Sequence, residues 1–317
     1  MNNNDKIKKS ITESIVIISI MALYIVYGIH FLPLLMLFIP LPFIVLGIRN
    51  NIYVNAISMI ISFIIVGVLL GFASNALLIL IFLPLSLVIN YCIIKRKTTM
   101  EIISISTLIF FLSIVILMFL GVKISDLDLT KQLENDFTQI LTIQIDMFKD
   151  MGMTNYEILQ TKDLLESAYR SLIVLIPSMI GILSLVTSSI NVFLSSLILR
   201  KMGYGAVKTI GFSKFKLPKN IIPGVGVMFV AAFIIKQLGI EYHDALLFNI
   251  TFLVSFVFLV QGLAVVDFLL KKSKVRLVFR ILILGMMTLF IPMSSIILFI
   301  GILDTIFDTR KLRRSKS

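Results

Sequence analysis

The side chains that most often carry enzyme chemistry are scarce in this sequence. It contains two histidines, His30 and His243, and one cysteine, Cys92. A zinc site needs several His, Cys or carboxylate ligands at short spacing, and a serine nucleophile needs a base nearby. Gly211-Phe-Ser213-Lys faintly resembles a serine-nucleophile turn, but no histidine is close to it in the sequence. We therefore expect no catalytic residue, no metal ligand and no bound cofactor.

The polar residues that do show regular spacing lie inside long apolar runs. Small and amide side chains recur there every three or four residues, which places them on one face of a helix. Such side chains are costly inside a bilayer unless they find hydrogen-bond partners. They predict a polar seam, composed of Asn51, Asn55, Ser58, Ser62, Asn90, Ser184, Ser188, Asn191, Ser195 and Gln261.

The polar seam has two interpretations. Small residues let helices approach closely, and hydrogen bonds between membrane helices contribute roughly 0.6 kcal/mol each, so the seam could serve packing alone. Alternatively, the same side chains could line a cavity that holds water or a ligand. The sequence leaves both interpretations open.

The apolar runs indicate the fold class. Hydrophobic residues make up 58% of the chain and charged residues 15%, whereas soluble domains carry about a quarter charged residues. About 20 apolar residues cross a bilayer as a helix, which satisfies its own backbone hydrogen bonds. We predict an all-α, polytopic transmembrane helical bundle with about eight to ten crossings. Its nine apolar segments run approximately over 11–30, 31–48, 52–72, 76–94, 101–122, 170–199, 220–238, 245–270 and 278–303.

Charge predicts the orientation of the bundle. The connector 200–219 carries six basic residues and no acid, whereas the stretch 123–168 holds nine acids and four lysines. Because basic connectors favour the cytoplasmic side, we expect both termini in the cytoplasm and the acidic stretch outside. The basic tail conflicts with nine crossings. Either one segment does not cross, or the last block is a short hairpin broken at Pro292.

The acidic stretch is predicted to form a helical hairpin. Thr154-x-x-Glu157 is a capping box, like Thr98-x-x-Glu101 earlier in the chain, and Gly152 precedes it. Apolar residues before Gly152 form one stripe that rests on the bundle or the lipid interface, or else forms a lid over an outward-facing site. The stripe contains Leu129, Leu133, Phe137, Ile140, Leu141, Phe148 and Met151.

These features divide the chain into four predicted domains. An N-terminal membrane bundle (1–122) precedes the acidic hairpin (123–169), and a C-terminal membrane bundle (170–309) precedes a basic cytoplasmic tail (310–317). Within the second bundle, Asp267 comes four residues before Lys271, and this spacing predicts an interfacial ion pair. The two histidines are expected at the outer membrane interface.

The net charge of +12 bears on partners. The basic residues lie at helix ends and not on a soluble domain, so we expect anionic inner-leaflet lipids and no nucleic acid as partners. In the connector 200–219, Phe212 and Phe215 alternate with lysines. This pattern indicates a segment lying on the membrane surface, or a docking patch for a membrane or cytoplasmic protein.

Seven residues of the C-terminal third form a pattern that we call the family motif, and they are Pro218, Asn249, Gln261, Gly262, Asp304, Asp308 and Arg310. With this motif the sequence resembles, over nearly its whole length, the YybS-type family of uncharacterised bacterial membrane proteins found mainly in Firmicutes. The resemblance implies a bacterial plasma-membrane location and no known activity. More distantly, residues 31–96 resemble in layout the vitamin-uptake substrate-binding subunits and the rod-shape protein MreD.

Together these observations favour a non-enzymatic scaffold or partner-binding membrane component. The distant resemblance supplies an alternative, a substrate-binding or transport component for a small molecule. The vitamin-uptake subunits carry alanines spaced four apart on their first helix, and this chain has no such pair of alanines between Ser14 and Ala22. That difference favours the scaffold.

Overall fold

The computed structural model is built of helices throughout the residues it describes, which are 3–28, 31–125, 129–204, 211–218 and 220–311. These ranges contain no strand, and the all-α prediction is confirmed. Short turns of other helix types lie at Tyr24–Gly28, Pro33–Phe38 and Phe212–Lys214. The α-helices are α1 (Asn3–Leu23), α2 (Pro40–Arg49), α3 (Ile52–Leu70), α4 (Phe72–Ile94), α5 (Thr99–Ser125), α6 (Leu129–Asp150), α7 (Asn155–Lys201), α8 (Ile221–Gln237), α9 (His243–Lys272), α10 (Leu277–Leu289) and α11 (Ile291–Phe307).

Several of these helices could cross a membrane. Within the part of the chain that the structure describes, five are long and apolar enough, namely Ile7–Gly28, Ile52–Leu70, Thr99–Leu120, Asn155–Lys201 and His243–Lys272, and the bent pair of α10 and α11 would be a sixth. Shorter apolar helices occupy Pro33–Arg49, Leu78–Ile94 and Ile221–Gln237. The polytopic helical architecture is therefore supported, while the number of crossings stays a prediction.

Local signals set the helix ends. The Glu101 N–H donates to Thr98 Oγ1 (3.4 Å), and the Thr98 N–H donates to Glu101 Oε2 (3.0 Å). Thr154 and Glu157 exchange the same two bonds at the start of α7. Both predicted capping boxes are confirmed, because each pair satisfies backbone amides that a helix start leaves without a partner.

Gly152 ends α6 with a defined turn. Its φ of +79° suits a residue without a Cβ, and its N–H donates to the Lys149 carbonyl (2.9 Å). The Met153 N–H donates to the Phe148 carbonyl (3.2 Å), which completes a Schellman motif. The helix α7 then runs without interruption to Lys201, so the acidic stretch continues directly into the sixth apolar segment.

The last apolar block breaks near Pro292, as one of the two predicted alternatives requires. The axes of α10 and α11 are bent by 106° at Phe290, whose backbone is extended (φ −91°, ψ 105°). Proline fits the first turn of the helix that follows, because its missing N–H would have no intrahelical partner there.

The chain forms two compact units. The first unit is Met1–Lys162 with Leu183–Thr209, and the second unit is Asp163–Ile182 with Ile210–Ser317. The helix α7 contributes to both units. The boundaries of the four predicted domains follow chain order and stay a prediction.

In the first unit, α3 packs against α1, α2 and α4, and α4 packs against α5. The core contains the fully buried side chains Phe43, Met59, Phe63 and Leu85, together with Val192 of α7. Apolar side chains gain little by leaving lipid for this core, so close packing and hydrogen bonds hold such helices together.

In the second unit, α9 packs along α11, and α8 and α10 flank it. Two glycines allow the close approach of α9 and α11. A Cβ at Gly262 would lie 1.9 Å from the Ile297 carbonyl oxygen, and a Cβ at Gly301 would lie 2.0 Å from the Phe258 carbonyl oxygen. This crossing brings Gln261, next to Gly262, within hydrogen-bonding distance of Asp304, which lies about one turn after Gly301.

Some sequence predictions concern residues outside the described ranges. These residues are His30, 205–210 and 219 of the connector, and 312–317 of the tail. The second histidine begins α9, and its Nε2 lies 3.1 Å from Asp244 Oδ1.

Candidate functional site

A buried carboxylate lies at the C-terminal end of α11. Asp304 is fully buried, and its Oδ2 accepts hydrogen bonds from Gln261 Nε2 (2.7 Å) and Arg310 Nη2 (2.8 Å). Its Oδ1 accepts from the Thr309 hydroxyl (2.5 Å). A buried charge is tolerated when it is paired and hydrogen-bonded in this way.

Arg310 connects this carboxylate to the connector before α8. Its Nη1 donates to the Ser213 carbonyl (2.9 Å) and its Nη2 to the Phe215 carbonyl (2.7 Å). Gln261 Oε1 accepts from the Leu217 N–H (3.1 Å). Arg310 and Gln261 therefore hold the backbone of the connector at three points, and Asp304 bonds both of these side chains. We call Gln261, Asp304 and Arg310 the connector clamp.

A second ion pair fastens the same segment. Lys216 pairs with Asp308, which ends α11 in the left-handed conformation (φ 49°). Asp and Asn adopt this conformation more readily than most residues. The connector is thus fixed to the end of α11 both by its backbone and by one of its lysines.

Asp267 does not form the predicted pair with Lys271. Its buried carboxylate oxygen Oδ1 accepts from Arg280 Nε (2.7 Å) and Nη2 (2.5 Å), so the prediction is wrong. The spacing of four residues would pair two side chains on the surface of one helix, whereas α10 brings an arginine to the buried side of α9. The pair joins the two helices.

The connector presents a defined surface. Ser213 and Leu217 are buried, whereas Phe212 (40% exposed) and Lys214 face outward. The rings of Phe212 and Phe215 are stacked with centroids 6.4 Å apart. An aromatic group and a cation are therefore held side by side on a fixed backbone.

Asn249 supports α7 beside its internal proline, Pro177. The Ser178 N–H donates to Asn249 Oδ1 (2.9 Å), and Asn249 Nδ2 donates to the Val174 carbonyl (2.7 Å). In an uninterrupted α-helix, this N–H and this carbonyl bond each other. The Asn249 amide thus substitutes for a turn of helix next to a proline and joins α9 to α7 within the second unit.

The first unit contains part of the predicted polar seam. Asn55 and Asn90 are fully buried, and Ser86 connects them. The Ser86 hydroxyl donates to Asn55 Oδ1 (2.8 Å), and Asn90 Nδ2 donates to the Ser86 carbonyl (3.3 Å). A Cβ at Gly47 would lie 2.7 Å from Asn90 Nδ2, so α2 approaches α4 closely at this point.

Asn191, a seam residue of α7, forms a hydrogen bond to another element. Its Nδ2 donates to the Leu37 carbonyl (2.8 Å), next to the turn where Pro40 has no N–H to offer. Several buried polar atoms of the first unit have no hydrogen-bond partner among the described residues. They are Arg49 Nε, Asn55 Nδ2, Asn90 Oδ1, Thr107 Oγ1, Thr187 Oγ1, Ser188 Oγ, Asn191 Oδ1 and Ser196 Oγ.

The remaining seam residues divide into three groups. Asn51 is exposed at the start of α3, and Gln261 belongs to the connector clamp of the second unit. The others are buried in the first unit, and they are Ser58, Ser62, Ser184, Ser188 and Ser195. Spacing alone did not reveal Ser86 as the link between Asn55 and Asn90, because that link depends on how α3 meets α4.

Most residues of the family motif surround the connector. Gln261, Asp304 and Arg310 form the clamp, Asp308 pairs with Lys216, and Gly262 allows the helix crossing. Pro218 follows the buried Leu217, whereas Asn249 acts at another point of α9. The sequence did not reveal that Arg310 donates to carbonyls of the connector. Every residue has a backbone carbonyl, so residue type does not show which carbonyls are bonded.

This arrangement holds a segment of backbone by means of side chains. The Asp304 carboxylate and the Arg310 guanidinium form hydrogen bonds with other groups of the same chain. Within the described ranges, no group of three or more His, Cys, Asp or Glu side chains could hold a metal ion. The clamp holds its part of the connector by hydrogen bonds and charge, and Phe212 and Lys214 are exposed beside it.

Comparisons with known proteins bear on the family. Residues 16–305 match the family described as "Predicted membrane protein (DUF2232)". No curated protein and no solved structure matches the chain, so the resemblance to vitamin-uptake subunits or MreD gains no support, and the YybS-type name stays a prediction. The match spans most of the sequence and agrees with the apolar helices described above. The chain therefore belongs to the DUF2232 family of predicted membrane proteins.

Proposed function

We propose that this protein is a non-enzymatic, multi-pass component of the bacterial plasma membrane that presents its connector to a partner protein at the cytoplasmic face. The observation that carries the proposal is the connector clamp, in which a buried ion pair and a buried amide bind three backbone groups of the connector. The basic residues of the connector and of the tail support the cytoplasmic placement.

A clamp of this kind is needed only if the connector must keep one geometry. A segment that only rests on lipid headgroups keeps its affinity through lysines and aromatics in many conformations. Burying an ion pair carries a desolvation penalty, and a buried polar group can specify one geometry. A connector held in one geometry suits recognition of a shaped protein surface, because preorganised groups lose less entropy on binding.

The exposed residues indicate the chemistry of the partner. Phe212 offers an aromatic anchor and Lys214 a cation beside it. Aromatic side chains in fitted pockets contribute most to protein interfaces, and charge complementarity adds specificity. We therefore propose a partner with an apolar pocket rimmed by acidic side chains.

The test is purification of the tagged full-length protein from its own membranes in mild detergent. Phe212→Ser combined with Lys214→Glu should reduce the recovered partner by about tenfold or more, since losing a central anchor has that effect. The matched control is Met286→Ser with Lys271→Glu, another exposed apolar and basic pair of the second unit. The control should retain the partner, and equal retention by both double variants would contradict the proposal.

A second candidate function is supported by the unpartnered polar atoms of the first unit. Asn55 Nδ2 and Asn90 Oδ1, a donor and an acceptor, are both buried near Gly47 and have no partners among the described residues. A small polar molecule would need α2 to move away from α4 here, because a Cβ at Gly47 would already lie 2.7 Å from Asn90 Nδ2. After such a movement it could satisfy both atoms, as in a substrate-binding or transport component. A panel of vitamin-like compounds tested for thermal stabilisation would favour this function if one compound stabilised the protein and Asn90→Leu abolished the effect.

A further inference from the structure

One face of α6, continued by Met151 in the turn just after the helix, exposes a row of large apolar side chains. Ile140, Ile143, Met147 and Met151 are 53%, 61%, 60% and 70% exposed. Their spacing of three, four and four residues places them on one side of the helix. We call these four residues the exposed stripe. Contiguous apolar residues on a surface mark interaction sites more often than scattered ones do.

The neighbouring face of α6, about a quarter-turn around the helix, is the one that packs. Leu141 is buried, and Phe137 and Phe148 are half-buried. The apolar stripe expected from the sequence is therefore buried unevenly, since Ile140 and Met151 are exposed whereas these three residues are not. The side chains of Leu129 and Leu133 lie outside the described part. The exposed stripe is thus the outer edge of a broader apolar face, and the inner edge of that face packs.

Carboxylates lie within the exposed stripe. Asp136 and Asp150 are each seven residues from Ile143, which is two turns at 3.6 residues per turn, so the three side chains share one line along the helix. Both aspartates are exposed. Lys149 does not offset them, because its ammonium pairs with Asp146 (3.0 Å). The face is apolar and acidic at once.

This combination excludes two occupants on physical grounds. A helix that lies in a lipid interface buries its apolar face and carries Lys and Arg on its polar face, whereas here two carboxylates would enter the lipid. A second copy of the same face would bring like charges together. A cationic helix with an apolar stripe fits instead, since it offers apolar contacts to the stripe and ammonium or guanidinium groups to the aspartates.

We infer that the exposed stripe with Asp136 and Asp150 is a docking surface for a cationic amphipathic helix of a partner protein. The surface shares no residue with the connector clamp. Success or failure of this inference is therefore independent of the proposed function, and it does not require knowing which side of the membrane α6 occupies.

The test uses the full-length protein in nanodiscs of zwitterionic phosphatidylcholine. The probe is a fluorescent amphipathic peptide of leucine and lysine, compared with a scrambled peptide of the same composition and with a leucine–glutamate version. Fluorescence anisotropy, corrected with empty nanodiscs, should show binding of the amphipathic lysine peptide about tenfold tighter than of either other peptide, as several weak contacts acting together predict. Asp136→Asn with Asp150→Asn should weaken that binding, and so should Ile143→Ser with Met147→Ser.

Matched controls lie on α7. Leu159 is 59% exposed and Asp163 is exposed, so Leu159→Ser with Asp163→Asn changes the same kinds of group outside the stripe and should leave binding unaltered. Unchanged helix content by circular dichroism would show that the variants fold. Equal binding of the scrambled peptide, unchanged affinity in the stripe variants, or a signal fully explained by empty nanodiscs would overturn the inference.

Discussion

At the scale of single residues, the geometry around Asp304 and Arg310 shows how a charge pair is kept inside a membrane protein. Their side chains are 1% and 2% exposed, so neither is screened by water. The attraction between them must offset desolvation of both ions, and it does so only when the remaining donors and acceptors are satisfied. Gln261 and Thr309 donate further hydrogen bonds to the carboxylate, and two connector carbonyls accept hydrogen bonds from the guanidinium.

The first prediction follows from that balance. Asp304→Asn removes one charge and leaves the buried Arg310 unpaired, which typically costs about 3–5 kcal/mol. We expect a lower thermal unfolding midpoint and faster tryptic cleavage after Lys214, because the connector loses its anchor. Both can be measured on the purified protein in detergent.

Asp146→Asn is the control for this prediction, because it breaks an ion pair whose side chains are 61% and 57% exposed. Exposed pairs contribute about 0–1 kcal/mol, so its midpoint should barely move. Equal shifts of the unfolding midpoint in the two variants would show that burial does not increase the contribution of the Asp304 pair to stability.

At the scale of elements, the crossing of α9 and α11 depends on two glycines. A methyl group at Gly262 or Gly301 would overlap a backbone carbonyl, which cannot move aside as a flexible side chain can. The helices would have to separate, and this would stretch the hydrogen bond between Gln261 and Asp304. Helix packing and clamp geometry are therefore coupled through adjacent residues.

The second prediction is that Gly262→Ala and Gly301→Ala each destabilise the second unit by about 1–3 kcal/mol, the usual effect of overpacking. Gly285→Ala on α10 is the control, since a Cβ there meets nothing within 4 Å. Alanine also favours the helical conformation over glycine, so Gly285→Ala should be neutral or slightly stabilising. Thermal unfolding of the three variants tests the prediction, and a loss of stability in Gly285→Ala as large as in the other two would refute it.

Elements also show what sequence reasoning can reach. The two capping boxes and the break near Pro292 were predictable, because a cap or a proline acts on residues within one turn. The partner of Asp267 was not, because Arg280 reaches it only once α9 and α10 have packed. The clamp combines both cases, since Asp304 and Arg310 are six residues apart but the carbonyls that Arg310 binds belong to a distant connector.

At the scale of the whole molecule, charge distribution is the feature that bears on orientation. The connector 200–219 and the residues after α9 are basic, whereas 123–168 is acidic. Arg280 is paired with Asp267 in the structure, so it contributes no free charge to the segment after α9. Lys271, Lys272 and Lys274 still leave that segment positive. Basic residues next to membrane helices favour the cytoplasmic side.

The last prediction tests this orientation in intact cells. The chain has a single cysteine, Cys92, so Cys92→Ala supplies a background free of thiols. Thr142→Cys on α6 and Ser273→Cys after α9 each place one thiol at an exposed position with little change in size. Because the acidic stretch should lie outside, a membrane-impermeant maleimide should label Thr142→Cys in intact cells. It should label Ser273→Cys only after permeabilisation, because the basic residues around that site predict a cytoplasmic position. The reverse pattern would invert the orientation and place the connector outside the cytoplasm, where the proposed partner could not reach it.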